Sequence, residues 1–191
     1  VDCADQDRPG AKLRQRFPKV LGNVDHHVSN TAYATHNCVA ANSAATCEIL
    51  GAFFIDEKLP IDAQTAQALY AGIITDTGQF RFSSTSHTTF KISAELMALG
   101  ANPAEAGYEL YEREPAGKMQ LLQRFLASFD MHAGGRICLG TIERGVFEAT
   151  GTGAEDTEGL VDYARAIEGV EIGGLIEERA NGIKARLRSN D

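Results

Sequence analysis

The chain has 191 residues, 43% hydrophobic and 23% charged, enough for one large domain or two small ones, each with its own core. Its 18 basic and 26 acidic side chains leave a net charge of −8, which excludes a broad basic face for long duplex DNA. It does not exclude a small anion bound where metal ions and a few cations reverse the local sign. The longest apolar runs, such as Ile49 to Ile55, are too short to cross a bilayer. The four cysteines (Cys3, Cys38, Cys47, Cys138) lack CxxC spacing, so reduced thiols in a cytoplasmic protein are expected.

In chain order, Val1–Ala4 is strand-like, and Val20–Asp25 reads as a short buried strand whose end delivers Asp25-His26-His27. Asn42 suits the N-cap of a helix with Ala45, Ile49, Phe53 and Phe54 on its apolar face. A second helix is predicted from Asp62 to Ile73 or Ile74, stopping at the turn Asp76-Thr77-Gly78. A third runs from about Ser86 to Leu99, with Phe90, Ile92, Leu96 and Met97 inward and Gly100 closing it. Asn102-Pro103 opens a fourth that ends near Glu112. Beyond Pro115 the pattern changes: an amphipathic helix over 115–129, a strand at 129–132, a Gly134-Gly135 turn and a strand over 136–142. A helix over 157–167 follows, then strands at 170–179 and 183–189 joined through Ala180-Asn181-Gly182. The expectation is an α/β first domain over 1–113, a connecting helix over 114–130 and a smaller α+β domain over 131–191.

The chemistry-bearing residues centre on Asp25-His26-His27. Carboxylate and imidazole together suit Mn²⁺, Zn²⁺, Fe²⁺ or Co²⁺, and a strand end mounts them rigidly. Adjacent histidines on an extended segment point in opposite directions, so one can bind metal while the other faces substrate. A solvated surface turn explains the tripeptide as well. Asp76, beside a glycine turn, can reach into a crevice, although Asp-Thr-Gly is also ordinary turn chemistry. Arg81 can offer its guanidinium to phosphate, or be the exposed residue of a strand that buries Phe80 and Phe82. Of Asp2, Asp5 and Asp7, Asp2 is the best metal candidate, the others being loop carboxylates with Arg8 as an ion-pair or packing partner. No Walker loop, Gly-x-Ser-x-Gly elbow, dinucleotide fingerprint or zinc-finger spacing occurs.

In this order, the motifs resemble those of the DHH phosphoesterase superfamily. Val1-Asp2-Cys3-Ala4-Asp5-Gln6-Asp7-Arg8 is similar to its second motif, Asp25-His26-His27 to its third, and Thr75-Asp76-Thr77-Gly78-Gln79-Phe80-Arg81 to its fourth. Asn42 to Thr46 with Glu48 resembles the helix start after the third motif. Asp156 to Val161 and Ile183 to Ser189 resemble the DHHA1 substrate-binding domain. The likeness covers nearly the whole chain and is best to the nanoRNase/pAp phosphatase group.

The resemblance implies a parallel-sheet α/β DHH domain, with Asp2 bridging two divalent ions (Mn²⁺ foremost, Mg²⁺ or Co²⁺ as alternatives) and His26 and Asp76 as further ligands. Asp25 is a weaker candidate. His27 would face the scissile phosphate, and Arg81, Arg188 and Ser189 would contact substrate. The implied partners are a short oligonucleotide or nucleoside 3′,5′-bisphosphate and a second copy of the chain, without a membrane or long duplex DNA. A RecJ-like exonuclease, a pyrophosphatase relative and a catalytically dead nucleotide binder are the rivals. The family's Asp-x-Asp element is expected upstream of Val1 and its Gly-Gly-His element downstream of Asp191. Residues 1–191 alone are therefore expected to bind metal weakly and turn over little.

Overall fold

The computed structural model describes residues 1–179 and 182–189, so the Ala180-Asn181 part of the expected turn and the terminal Asn190-Asp191 lie outside the described residues. The chain is of the α/β class and divides into two compact units, Val1–Glu112 and Arg113–Asp191.

In the first unit, β1 (Gly22–Asp25) pairs in parallel with β2 (His36–Val39), placing Asp25 opposite Val39 at the carboxyl end of both strands. The opening segment is not a strand. It lies beside β1 through a bond from the Asp2 N–H to the Val24 carbonyl (2.9 Å). A short exposed helix, α1 (Ala11–Arg16), follows where no element was expected. α2 (Thr46–Asp56), α3 (Ala63–Asp76) and α4 (His87–Ala98) form the core, closed by α5 (Pro103–Gly107) and a π-helical turn over Tyr108–Glu112. Ala66, Leu69, Tyr70, Ile73 and Ile74 of α3 meet Ile92 and Leu96 of α4 in that core.

The helix starts expose what local chemistry dictates. Asp62 caps α3 by accepting from the Thr65 N–H (2.7 Å), and Ser86 and Thr89 form a reciprocal capping box on α4. Asn42 does not cap α2; Ala45 stands at that position without a side-chain bond. Asp76 is the last residue of α3 rather than a residue beyond it. The apolar faces differ in part from expectation. Phe53, Phe90 and Met97 are exposed, while the buried residues of α2 are Thr46, Glu48 and Gly51. A Cβ on Gly51 would lie 2.9 Å from Ile92, so α2 approaches α4 across a glycine.

The second unit opens with α6 (Ala116–Ala127), whose Leu121 and Phe125 are fully buried in that unit's own core. Its sheet has the order β3 (Asp130–His132), β4 (Ile137–Ile142), β5 (Ile172–Arg179), β6 (Gly182–Ser189). β4 and β5 are parallel and the outer pairs antiparallel. A helix absent from the sequence reading, α7 (Arg144–Thr150), precedes a 3-10 turn and α8 (Leu160–Arg165). Leu160, Val161 and Ala164 pack α8 toward Leu175, Cys138 and Ile142. Strand alternation then puts Lys184, Arg186 and Arg188 on the α8 side of the sheet and Ile183, Ala185, Leu187 and Ser189 on the other.

Candidate metal centre

The end of β1 turns so that three aspartates meet two histidines. Asp25 is completely buried, and both of its oxygens are engaged. Oδ1 accepts from the His26 backbone N–H (2.9 Å) and from His27 Nδ1 (2.7 Å), and Oδ2 accepts from Asn30 Nδ2 (2.5 Å). Burial alone would raise its pKa, but the hydrogen bonds from His27, Asn30 and His26 outweigh it and hold Asp25 at about 2. Asp25 is therefore a fixed anion that organises the turn.

The histidines are sorted by their second nitrogens. His26 Nδ1 lies 3.4 Å from the Ser43 carbonyl, an acceptor only, so Nδ1 carries a proton and Nε2 is the nitrogen available to an ion. That Nε2 lies 3.6 Å from Asp2 Oδ1 and 3.6 Å from Asp76 Oδ2. Donors each about 2.1 Å from one ion stand roughly 3–4 Å apart, so this nitrogen lies at ion-sharing distance from each of the two carboxylates. The backbone carbonyl behind His26 is the usual outer support of a metal-binding imidazole. His27 is differently committed. Arg8 Nη1, which can only donate, stands 3.1 Å from His27 Nε2, so Nδ1 holds the proton given to Asp25. Asp2, His26 and His27 all cluster, with His27 Nδ1 4.0 Å from Asp2, but both His27 nitrogens are occupied.

Asp76 is delivered by the end of α3 and a locked turn. Thr77, completely buried, donates its hydroxyl to the Ile73 carbonyl (2.7 Å) and accepts from the Phe80 N–H (3.1 Å). Gly78, Gln79 and Phe80 all have left-handed φ (53°, 61°, 62°). Any Cβ at Gly78 would run into the Phe82 ring, which makes glycine obligatory there. Residues 78–82 thus form a turn, not the strand considered from the sequence. Burial pushes the Asp76 carboxyl up, helped by Asp2 and opposed by His26 and His27. Two carboxylates that disfavour each other's charge gain from a cation between them.

Arg81 is exposed and its Nε donates to the Gly78 carbonyl (2.8 Å). Burial raises the pKa of Tyr111, with the Arg81 charge opposing and the Asp76 charge adding to that rise. Arg188 and Ser189 belong to the other unit and project from opposite faces of β6. Arg188 lines a pocket of about 570 Å³ with Lys184 and Arg186, opposite Glu155, Glu158 and Asp162. Sequence reasoning assigned no site role to Arg8, Asn30 or Ser43. Arg8 shares the Asp5 turn, whose Oδ1 accepts from the Asp7 and Arg8 N–H groups (2.8 and 3.0 Å), and that Asp-x-Asp-Arg spacing was its available signal.

No protein-family model matches the chain. It is 29% identical over 87% of its length to the bifunctional oligoribonuclease and PAP phosphatase NrnA of Thermus thermophilus, covering 50% of that protein. To the Bacillus subtilis protein of the same name it is 26% identical over 98% of its length, covering 60%. The chain thus spans about half to three-fifths of the curated relatives it matches. In structure it resembles an exopolyphosphatase-related protein from Bacteroides fragilis, with a TM-score of 0.89 at 19% identity, over all of this chain and 57% of that one. No helix among the described residues is long and apolar enough to cross a membrane. The DHH resemblance read from the motifs is borne out: over most of its length this chain is related to the bifunctional oligoribonuclease and PAP phosphatases.

Proposed function

We propose that the intact protein is a cytoplasmic, metal-dependent phosphoesterase acting on short oligonucleotides and on nucleoside 3′,5′-bisphosphate. The observation that carries this reading is the position of His26 Nε2, 3.6 Å from both the Asp2 and the Asp76 carboxylates with its other nitrogen tied to a carbonyl. Asp2, His26 and Asp76 would hold one divalent ion, and the carboxylate-rich setting suits a second, with Mn²⁺ the best match to a mixed imidazole and carboxylate set. When bound, such ions polarise a phosphoryl oxygen and supply hydroxide at neutral pH.

The chain's own residues do the rest. Asp25 holds the His27 ring by Nδ1, so Nε2 is the end that would meet substrate once Arg8, 3.1 Å from it, turns to the incoming anion. With a proton on Nε2 as well, His27 becomes a donor to a phosphate oxygen or to the departing alkoxide. Arg8 beside His27, and Arg81 in the turn that follows Asp76, would supply positive charge for the anion. In the second unit, Arg188 and its neighbours Lys184 and Arg186 offer cations for a further phosphate, and Ser189 a hydroxyl on the other face. A protein of net charge −8 with these few local cations suits short ligands better than polymers. Assembly as a homodimer belongs to the same reading.

The test is a substrate panel with Mn²⁺, with and without chelator, on the intact protein. Hydrolysis of pAp and dinucleotides that chelation abolishes is the expected result. Preference for long single strands or for pyrophosphate would replace this reading with an exonuclease or a pyrophosphatase. Tight nucleotide binding without turnover would make the protein a binder.

A further inference from the structure

Asp2 is the ligand of the candidate centre that its backbone holds least. His26 directly follows β1 and Asp76 ends α3, whereas Asp2 lies in no helix or strand, with a left-handed φ of 57° and a side chain 53% exposed. A short side chain on such a segment keeps one orientation only if something fixes its oxygens. The bond from the Asp2 N–H to the Val24 carbonyl places the backbone but leaves the carboxylate free to turn. The carboxylate meets Thr46, whose Oγ1 lies 2.9 Å from Oδ1, the same oxygen that stands 3.6 Å from His26 Nε2.

We propose that Thr46 is a positioning residue of the metal centre: its hydroxyl donates to Asp2 and turns that carboxylate toward the position shared with His26 and Asp76. The inference rests on the metal reading above. Three features support it. Thr46 is 3% exposed, so its hydroxyl cannot turn to bulk water and loses a partner if Asp2 moves away. It is the first residue of α2, and its β-branched side chain has little rotamer freedom there. The residue before it, Ala45, gives α2 no side-chain cap. A threonine one place earlier would have satisfied the helix start, so the local preference is broken at the position where the hydroxyl reaches Asp2 instead. A carboxylate oxygen accepts more than one partner, so the Thr46 bond leaves Oδ1 able to meet an ion.

The experiment measures Mn²⁺ affinity of the intact protein by the electron paramagnetic resonance signal of free Mn²⁺. Thr46→Val keeps the shape and burial and removes the hydroxyl; Thr46→Ser restores it. Thr46→Val is expected to weaken Mn²⁺ binding by roughly 10–100-fold, the usual effect of removing an outer-shell partner, with Thr46→Ser close to wild type. In an Asp2→Ala background, Thr46→Val should cost nothing further, a comparison that cancels any general loss of stability. Wild-type affinity in Thr46→Val, or a Thr46→Ser variant as weak as Thr46→Val, would overturn the proposal. His26→Ala separates the two ideas. If it loses Mn²⁺ while Thr46→Val does not, the metal reading stands and the role of Thr46 falls. If His26→Ala binds Mn²⁺ like wild type, both fall.

Discussion

Among the described residues, each unit of this chain buries one carboxylate completely, and the two are satisfied in opposite ways. Asp25 is held by uncharged donors: a backbone N–H, an imidazole N–H and an amide. Glu177 is held by cations. Arg179 meets its Oε2 through two nitrogens (2.9 and 2.5 Å), Arg186 approaches Oε1 at 3.4 Å, and Thr157 donates to Oε1 at 3.2 Å. Either carboxylate is a rigid post, because a buried anion tolerates only an arrangement that meets its lone pairs. What the posts hold differs. Asp25 fixes the tautomer of an imidazole beside the metal position; Glu177 fixes guanidiniums on the basic edge of a sheet. On the proposed reading the first unit serves bond-making geometry and the second charge, so damage to them should read out differently.

The largest effect should come from the ligands. His26→Ala or Asp76→Ala is expected to lower kcat/KM for pAp by about 10³-fold or more, through lost metal-assisted catalysis, as measured by phosphate release. Asp25→Asn should come next, with a loss of about 10–100-fold seen in kcat more than in KM, since it misdirects His27. Glu177→Gln should raise KM by roughly tenfold with kcat and Mn²⁺ affinity kept, because it loosens cations that bind without reacting. A kcat loss with unchanged KM there would erase the contrast between the units.

The smallest effect is on acid stability, and its sign is fixed. Asp25 has a folded pKa of about 2 against an ordinary 3.8, so its contribution is complete above the ordinary value and disappears as pH falls through about 2. Urea midpoints measured between pH 5 and pH 2 should therefore fall further for wild type than for Asp25→Asn. Equal slopes would mean that the buried hydrogen bonds around Asp25 do not favour its charged form.

Much of this was legible in the residues. The order Asp2, Asp25-His26-His27, Asp76 marks the candidate centre, and Asp62, Ser86 and Asn102 announce helices through their own capping chemistry. The illegible parts have physical reasons. α2 buries Thr46, Glu48 and Gly51 and exposes Phe53, the inverse of what hydrophobicity implies, because its inner face must approach α4 and carry polar groups to the site. Glu48, almost fully buried, accepts from Thr89 Oγ1 (2.7 Å), a long-range contact no local pattern encodes. The partners of the histidines, Ser43 and Arg8, lie 17 and 19 residues away in sequence and act through a carbonyl and an exposed guanidinium. The left-handed run Gly78 to Phe80 mimics a strand in composition, with alternating Phe80 and Phe82, yet steric demand at Gly78 makes it a turn.

On the proposed reading, Asp2, His26 and Asp76 share a divalent cation while His27 does not. Crystals of the intact protein soaked in Mn²⁺, with data collected at the manganese edge, test it most directly. The expected result is an anomalous peak bonded to His26 Nε2, Asp2 and Asp76, with His27 still hydrogen-bonded to Asp25. A peak ligated by His27, or none within reach of His26, would contradict it.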